Sequence, residues 1–249
     1  MSIKNTKATI VIKIGTAVLT NKSGRLEKSV IKDLISQVLK LINLNYKVVI
    51  VSSGAIGAGI EALKLKSRPV CLHKLQACAA VGQSRLIKAY DDFLKKGGMH
   101  AAQVLLTQDD FLNRKRYINA KHTVAMLLGE FRSVPVINEN DAVATEEIKF
   151  GDNDKLSALV SNLVGADKLV ILTNVGGLYS AEEGRVIPLV TQITPQIEAL
   201  VMPRKSRLGM GGMASKLQAV KIAASAGIPT VCLLYTSPSP RDRTRSRMP

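Results

Sequence analysis

Residues 8–15, ATIVIKIG, decide the fold of this chain. Ile10, Val11, Ile12 and Ile14 form a short β-branched run of the kind that a parallel sheet buries on both faces. Five runs of similar character follow: KVVIV at 47–51, AQVLL at 102–106, VPVI at 134–137, KLVIL at 168–172 and IPTVCL at 228–233. Between the first two, Val30, Ile31, Leu34, Ile35, Val38, Leu39 and Ile42 recur at helical spacing. The pattern predicts further helices near 73–96, 118–130, 154–165 and 213–226. Alternation of strand and helix means a largely parallel sheet covered on both faces, an α/β sandwich.

One residue in the opening run is out of place. Lys13 interrupts the apolar strand near its carboxyl end and is followed by Gly15 and Thr16. A lysine there either snorkels to the sheet edge or is held for an anion. Snorkelling accounts for the lysine but not for the glycine beside it, and a buried ammonium is costly without a negative partner. The anion site is therefore the preferred reading, with Asp154, at a helix start near the same edge, as the candidate partner.

Composition narrows the possibilities. The chain has 249 residues, 46% hydrophobic and 22% charged, which suits one generous core. No apolar run approaches bilayer length, so neither a membrane span nor a signal peptide is expected, and a cytoplasmic location is. Cys71, Cys78 and Cys232 lack any C-x-x-C pairing; they are expected to be reduced, buried packing residues, and no metal site is predicted. Of the formal charge of +16, the last 17 residues, LLYTSPSPRDRTRSRMP, carry +3 and the rest is scattered. With aromatics at 4% and no Trp, there is little for bases to stack on, which argues against nucleic acid and for small anionic ligands.

Ligands of open α/β sheets sit beyond the carboxyl ends of the strands. The segments there are chemically unusual: KIGTAVLT, SSGAIGAG, NENDAVATEEIKFGDND and TNVGGLYS, with RLGMGGMASK opening a late helix. SSGAIGAG and GMGGMASK read as phosphate loops, the first leading into a helix and the second pairing glycine N–H groups with Lys216. Neither is a Walker A loop nor a Rossmann G-x-G-x-x-G, and each by itself is a weak signal. Asp152, Asn153 and Asp154 stand in a row ahead of the apolar helix of Leu156, Leu159, Val160, Leu163 and Val164. A helix cap needs one such residue, so three imply a further task. His73, His100 and His122 lie outside these loops and are assigned surface or core roles.

Taken together, IVIKIGTAVLT, VIVSSGAIGAG, AAVGQSRL, QVLLTQDDFLNRKRYINA, VPVINENDAVATEEIKFGDNDKLSAL, GADKLVILTNVGGLY and GGMASKLQA resemble, in order, the glutamate 5-kinase group of the amino acid kinase family over nearly all of residues 8–232. NENDAVAT with GDND is the most specific part. The resemblance implies an open three-layer αβα sandwich that transfers the γ-phosphoryl group of ATP, with Mg²⁺, to the side-chain carboxylate of L-glutamate, the first step of proline biosynthesis. It implies that Lys13 and Lys216 neutralise the transferring group while Asp154 organises both. Ser53, Gly54, Asp141 and Asn153 fall at glutamate-binding positions. Lys13, Gly15, Thr173 and Asn174, with Met210, Gly211, Gly212, Met213, Ala214, Ser215 and Lys216, fall at nucleotide positions. Asn174 stands where Asp is common in the family, and Met210 where Thr is common.

The same resemblance sets expectations for the rest of the protein. Residues 1–232 are expected to form the kinase domain without its final elements, and 233–249 a disordered or non-native tail. Feedback inhibition by proline and a homodimer or homotetramer are implied partners of the activity. Two other readings compete: a related kinase acting on acetylglutamate, aspartate or a nucleoside monophosphate, and an inactive regulatory or nucleic-acid-binding module.

Overall fold

The computed structural model describes residues 7–21, 24–144, 153–180, 185–201 and 210–235. Six strands, β1 (Thr9–Ile14), β2 (Lys47–Ser52), β3 (His100–Leu106), β4 (Ser133–Glu139), β5 (Lys168–Thr173) and β6 (Thr230–Leu234), form one sheet in the order β3-β4-β2-β1-β5-β6. Every pairing is parallel. The six predicted runs are all strands, displaced by no more than a residue or two at their ends.

Strand parity sorts the helices into two layers. Ile12 and Ile14 of β1, with Val48 and Ile50 of β2, face one way and pack against α2 (Lys28–Asn43) and α4 (Leu72–Leu94). Val11 of β1, Val49 and Val51 of β2, and Leu169 and Ile171 of β5 face the other way. They meet α6 (Arg114–Gly129), α7 (Asn153–Val164) and α9 (Met210–Ser225) through Val124, Leu156, Val160, Ala219 and Ala223. Each of these large side chains, lifted from water, contributes about 1.5–3 kcal/mol.

Three short helices escaped the sequence reading, α1 (Thr16–Leu19), α5 (Gln108–Leu112) and α8 (Pro195–Ala199), while α3 (Ala55–Ala62), the helix expected after SSGAIGAG, begins inside that segment. The SSGAIGAG loop is accordingly shorter than expected. Gly54, at φ +106°, turns the chain in a conformation that L side chains rarely adopt, and the helix begins at Ala55. Gly57 and Gly59 belong to α3 itself, and Gly59 serves packing rather than a ligand. A Cβ on Gly59 would lie 1.8 Å from the Cys78 carbonyl oxygen, and one on Gly82 would lie 1.8 Å from that of Ala55. Two glycines thus let α3 and α4 cross in backbone contact. Likewise Met210–Lys216 are the first turns of α9, not a free loop.

The cysteine reading also needs correction. Cys78 is buried, but Cys71 and Cys232 are exposed, because Cys71 precedes α4 on the surface and Cys232 lies on the edge strand. β6 continues through Leu233 and Leu234, paired with Leu172 and Thr173, so the boundary expected at 232 falls inside a strand. Residues 236–249 lie outside the described residues, as do Asp152 and positions 145–151 of the NENDAVATEEIKFGDND segment. Among the described residues, no helix is long and apolar enough to cross a membrane.

Candidate active site

β1 is the switch point of the sheet: β2 lies on one side of it and β5 on the other. The crevice at the carboxyl end of such a strand is where α/β sheets bind ligands. Lys13 shares the parity of Val11, so its side chain runs on the α7 and α9 face rather than the α2 face. At that point α7 begins. Its second residue, Asp154, is fully buried and receives the Lys13 ammonium at 2.5 Å on Oδ1. Lys216, one and a half turns into α9, donates to Oδ2 of the same carboxylate at 3.0 Å and to the Gly212 carbonyl at 3.2 Å. The side chains of Lys13 and Lys216 are 4% and 12% exposed.

Two ammonium groups on one carboxylate leave the cluster with a net charge of +1, which suits an anion. The start of α7 adds to this, since the positive end of a helix stabilises the Asp154 carboxylate that holds both lysines. A cap alone accounts for none of this geometry: Asp154 is committed to two side chains from distant parts of the chain. A Cβ added to Gly15 would sit 3.5 Å from Lys13 Nζ, an ordinary contact, so the glycine leaves the ammonium without a side chain beside it but is not sterically required.

Two cavities meet here. The first, about 310 Å³, is lined by Lys13, Gly15, Thr173, Asn174 and Lys216. The second, about 170 Å³, is lined by Gly54, Arg68, Asn138, Glu139, Asp141 and Asn153. Thr16 and Ser53 line both and stand at the junction. A larger cavity of about 440 Å³ lies beyond β3 and β4, around Thr107, Asp110, Arg116 and Asn140. It touches neither lysine, so size is a poorer guide here than the placement of charge.

The second cavity has a rigid floor of amides. Asn153 Nδ2 donates to the Ser52 carbonyl at 2.9 Å, to Ser53 Oγ at 3.0 Å and to Asn138 Oδ1 at 2.8 Å. Asn138 Nδ2 in turn donates to Gln83 Oε1 at 2.9 Å, and Gln83 Nε2 reaches Gln103 Oε1 at 3.4 Å. Ser52 is fixed from below, its Oγ 2.9 Å from the hydroxyl of fully buried Tyr90, whose phenol burial pushes well above its usual range. Buried amides in such a chain have little freedom to rotate.

The sequence reading singled out Lys13, Lys216, Asp154, Ser53, Gly54, Asp141, Asn153, Gly15, Thr173 and Asn174, and all of them line these two cavities except Asp154, which is fully buried and bonded to the two lysines. Met213, Ala214 and Ser215 occupy the first turns of α9 without lining either cavity. Met210 and Gly211 are described only as helical backbone. Missed were Gln83, Gln103, Glu139 and Arg68. Gln83 could have been singled out as an amide within an otherwise apolar helix face; Arg68 carries no signal in the sequence.

Residues 8–233 match the amino acid kinase family. The chain belongs to that family. Among curated relatives, the chain is 48% identical over 227 residues to the glutamate 5-kinase of Moorella thermoacetica, covering 89% of this chain and 60% of that protein. It is 45% identical over 239 residues to the glutamate 5-kinase of Photorhabdus laumondii, covering 94% and 65%. The chain thus spans between three fifths and two thirds of the length of these relatives. A solved carbamate kinase from Giardia lamblia superposes with a TM-score of 0.58 at 18% identity, over 90% of this chain and 91% of that one. The aspartate kinase of Synechocystis gives 0.54 at 17%, over 90% and 38%. Both likenesses concern the shared fold.

Proposed function

We propose that this chain phosphorylates the side-chain carboxylate of L-glutamate from ATP, giving glutamyl 5-phosphate and ADP, the entry step of proline biosynthesis. The observation that carries the reading is the buried Lys13–Asp154–Lys216 cluster, whose lysines line the first cavity, which meets the second at Thr16 and Ser53. The names of relatives 45–48% identical over most of the chain support the choice of substrate.

Both reactants are anions, so catalysis here is a matter of positioning and preorganised positive charge. The nucleotide occupies the cavity of about 310 Å³, with its γ-phosphoryl group against Lys13 and Lys216. Glutamate occupies the smaller one and presents its side-chain carboxylate past Thr16 and Ser53. A carboxylate oxygen attacks the γ-phosphorus, the bond to the β,γ-bridging oxygen breaks, and ADP leaves with that electron pair. The carboxylate is already ionised at neutral pH, so no general base is needed. Asp154 keeps the two ammonium groups aimed at the charge as it moves. Asp141 and the amide floor receive the substrate's ammonium.

Mg²⁺ would enter with the nucleotide as MgATP, where it would offset the charge of the phosphate oxygens, while Asp154 is committed to the two lysines. Proline inhibition, assembly into a homodimer or homotetramer, a cytoplasmic location and a kinase domain that includes β6 through Leu234 complete the proposal.

The test is hydroxylamine trapping of the acyl phosphate in the presence of MgATP. Hydroxamate is expected with L-glutamate and not with acetylglutamate, aspartate or uridine monophosphate. An equal yield with acetylglutamate would move the assignment to that substrate, and no nucleotide consumption with any acceptor would favour a non-catalytic module.

A further inference from the structure

Among the described residues, the nucleotide and acceptor cavities share only Thr16 and Ser53 in their linings, and each carries a hydroxyl. Their surroundings set them apart. Ser53 is tied to the acceptor side: its Oγ accepts the Asn153 amide at 3.0 Å, and its backbone carbonyl takes the Ser52 hydroxyl at 3.1 Å. The Thr16 hydroxyl, on an exposed side chain, has no hydrogen bond to any described residue. Its backbone, by contrast, is fixed. The Thr16 carbonyl accepts from the N–H and the hydroxyl of Thr20 at 3.0 and 2.9 Å, and Val18 and Leu19 bury the same turn in the core. A β-branched side chain on a fixed backbone has few rotamers to choose from. The hydroxyl is therefore held at the junction yet uncommitted.

Phosphoryl transfer places negative charge at that junction. Lys13 and Lys216 line only the nucleotide cavity. As the γ-phosphoryl group moves toward the acceptor carboxylate, it passes from these lysines to a cavity whose wall includes Glu139 and Asp141, both acidic. The Nδ2 group of Asn153 is already shared among three acceptors. Thr16 is the uncommitted donor where the cavities meet. We propose that Thr16 is a catalytic residue whose hydroxyl donates a hydrogen bond to a non-bridging oxygen of the phosphoryl group during transfer. Because the contact forms at the point of transfer, it stabilises the transition state more than either bound substrate. No bond to Thr16 is made or broken, and the hydroxyl keeps its proton throughout. The inference rests on the phosphotransfer reading above and extends it, whichever carboxylate is the acceptor.

The test compares Thr16→Val, which keeps the shape and loses the hydroxyl, with Thr16→Ser, which keeps the hydroxyl. Turnover of MgATP with L-glutamate is measured on the full chain. Thr16→Val should lower kcat by about ten- to a hundredfold, the range for a hydrogen bond to a charged group, with both KM values nearly unchanged. Thr16→Ser should retain most of the wild-type kcat. Both variants should melt with wild type, since the side chain is exposed. A second readout is the affinity for MgADP with aluminium fluoride and glutamate, a mimic of the phosphoryl group in flight. Thr16→Val should weaken it by the same factor as kcat, while MgADP alone binds as in wild type. Thr16→Val with wild-type kcat would overturn the proposal, as would a loss carried wholly by the KM for glutamate or for MgATP. Wild type that turns over acetylglutamate, aspartate or uridine monophosphate in place of glutamate removes the glutamate reading alone. The series is then run with that acceptor, where the same fall in kcat upholds the role of Thr16 and its absence overturns it. Wild type that consumes no MgATP with any acceptor overturns both.

Discussion

Gln83 on α4 accepts a hydrogen bond from Asn138 at the end of β4, at 2.9 Å, although 55 residues separate them. Through Asn138 the contact reaches Asn153 and so fixes which way the amides of the acceptor cavity point. Gln83→Leu removes the acceptor and leaves a buried N–H unpaired, which should lower stability by about 1–3 kcal/mol. It should also raise the KM for glutamate severalfold with the KM for MgATP nearly constant, because only the acceptor side loses its order. Gln83→Glu, which keeps an acceptor, should restore much of both. Equal changes in the two KM values would mean that Gln83 serves packing alone.

Lys13, Asp154 and Lys216 should behave as a unit. Replacing either lysine by alanine removes one preorganised cation and should lower kcat by about a hundred- to a thousandfold. Asp154→Ala should do comparable damage without touching phosphate, since both ammonium groups lose their anchor. The double variant of Asp154 and Lys13 should be clearly less than additive. Asp154→Ala also leaves two cations side by side in a buried site, so a loss of about 3–5 kcal/mol in stability is expected. Asp154→Asn, nearly isosteric, separates the effects: a folded variant with wild-type turnover would remove Asp154 from the mechanism.

The crossing of α3 and α4 can be tested without touching the site. In Gly82→Ala the new Cβ would lie 1.8 Å from the Ala55 carbonyl oxygen and 2.4 Å from the Gly59 nitrogen. Backbone atoms cannot swing aside, so α3 must move, at a cost of about 1–3 kcal/mol or more. Because α3 begins at the turn that carries Ser53 and Gly54, the shift should also weaken glutamate binding. Gly129→Ala is the control: a Cβ there meets nothing within 4 Å. It should be neutral or stabilising by a few tenths to about 1 kcal/mol. Thermal denaturation of the two variants reads the contrast.

The three thiols should differ in reactivity. Cys71 is exposed at the start of α4, and the backbone N–H groups of Lys74 and His73 hold its pKa below the ordinary thiol value. Cys232 is exposed as a residue, yet the packing around its thiol is enough for burial to push its pKa up, with Lys216 opposing, and Cys78 is out of solvent. Iodoacetamide near pH 7 should therefore label Cys71 first, with a rate that levels off at lower pH than for an unperturbed thiol. Mass mapping of the labelled peptides gives the order; faster labelling of Cys232 would contradict it.

Much of this protein was legible in its residues. The six β-branched runs are the strands because no helix of four or five residues can bury so much apolar surface on both sides, and the 3.6-residue spacing of Val30 to Ile42 leaves α2 no other form. Lys13 and Asp154 were readable as partners for the same reason: a buried charge demands an opposite one. Tertiary structure decided the rest. That Asp154 takes Lys216 as well as Lys13 follows from the parity of β1 and from α7 and α9 sharing one face of the sheet, which no local pattern records. The glycines of SSGAIGAG looked alike in sequence, yet Gly54 makes the turn and Gly59 the helix crossing, because only the packed partner defines the space each must leave. Gln83 stood out only as an amide on an apolar helix face, and its task stayed hidden because its partner Asn138 comes from a strand 55 residues further along the chain.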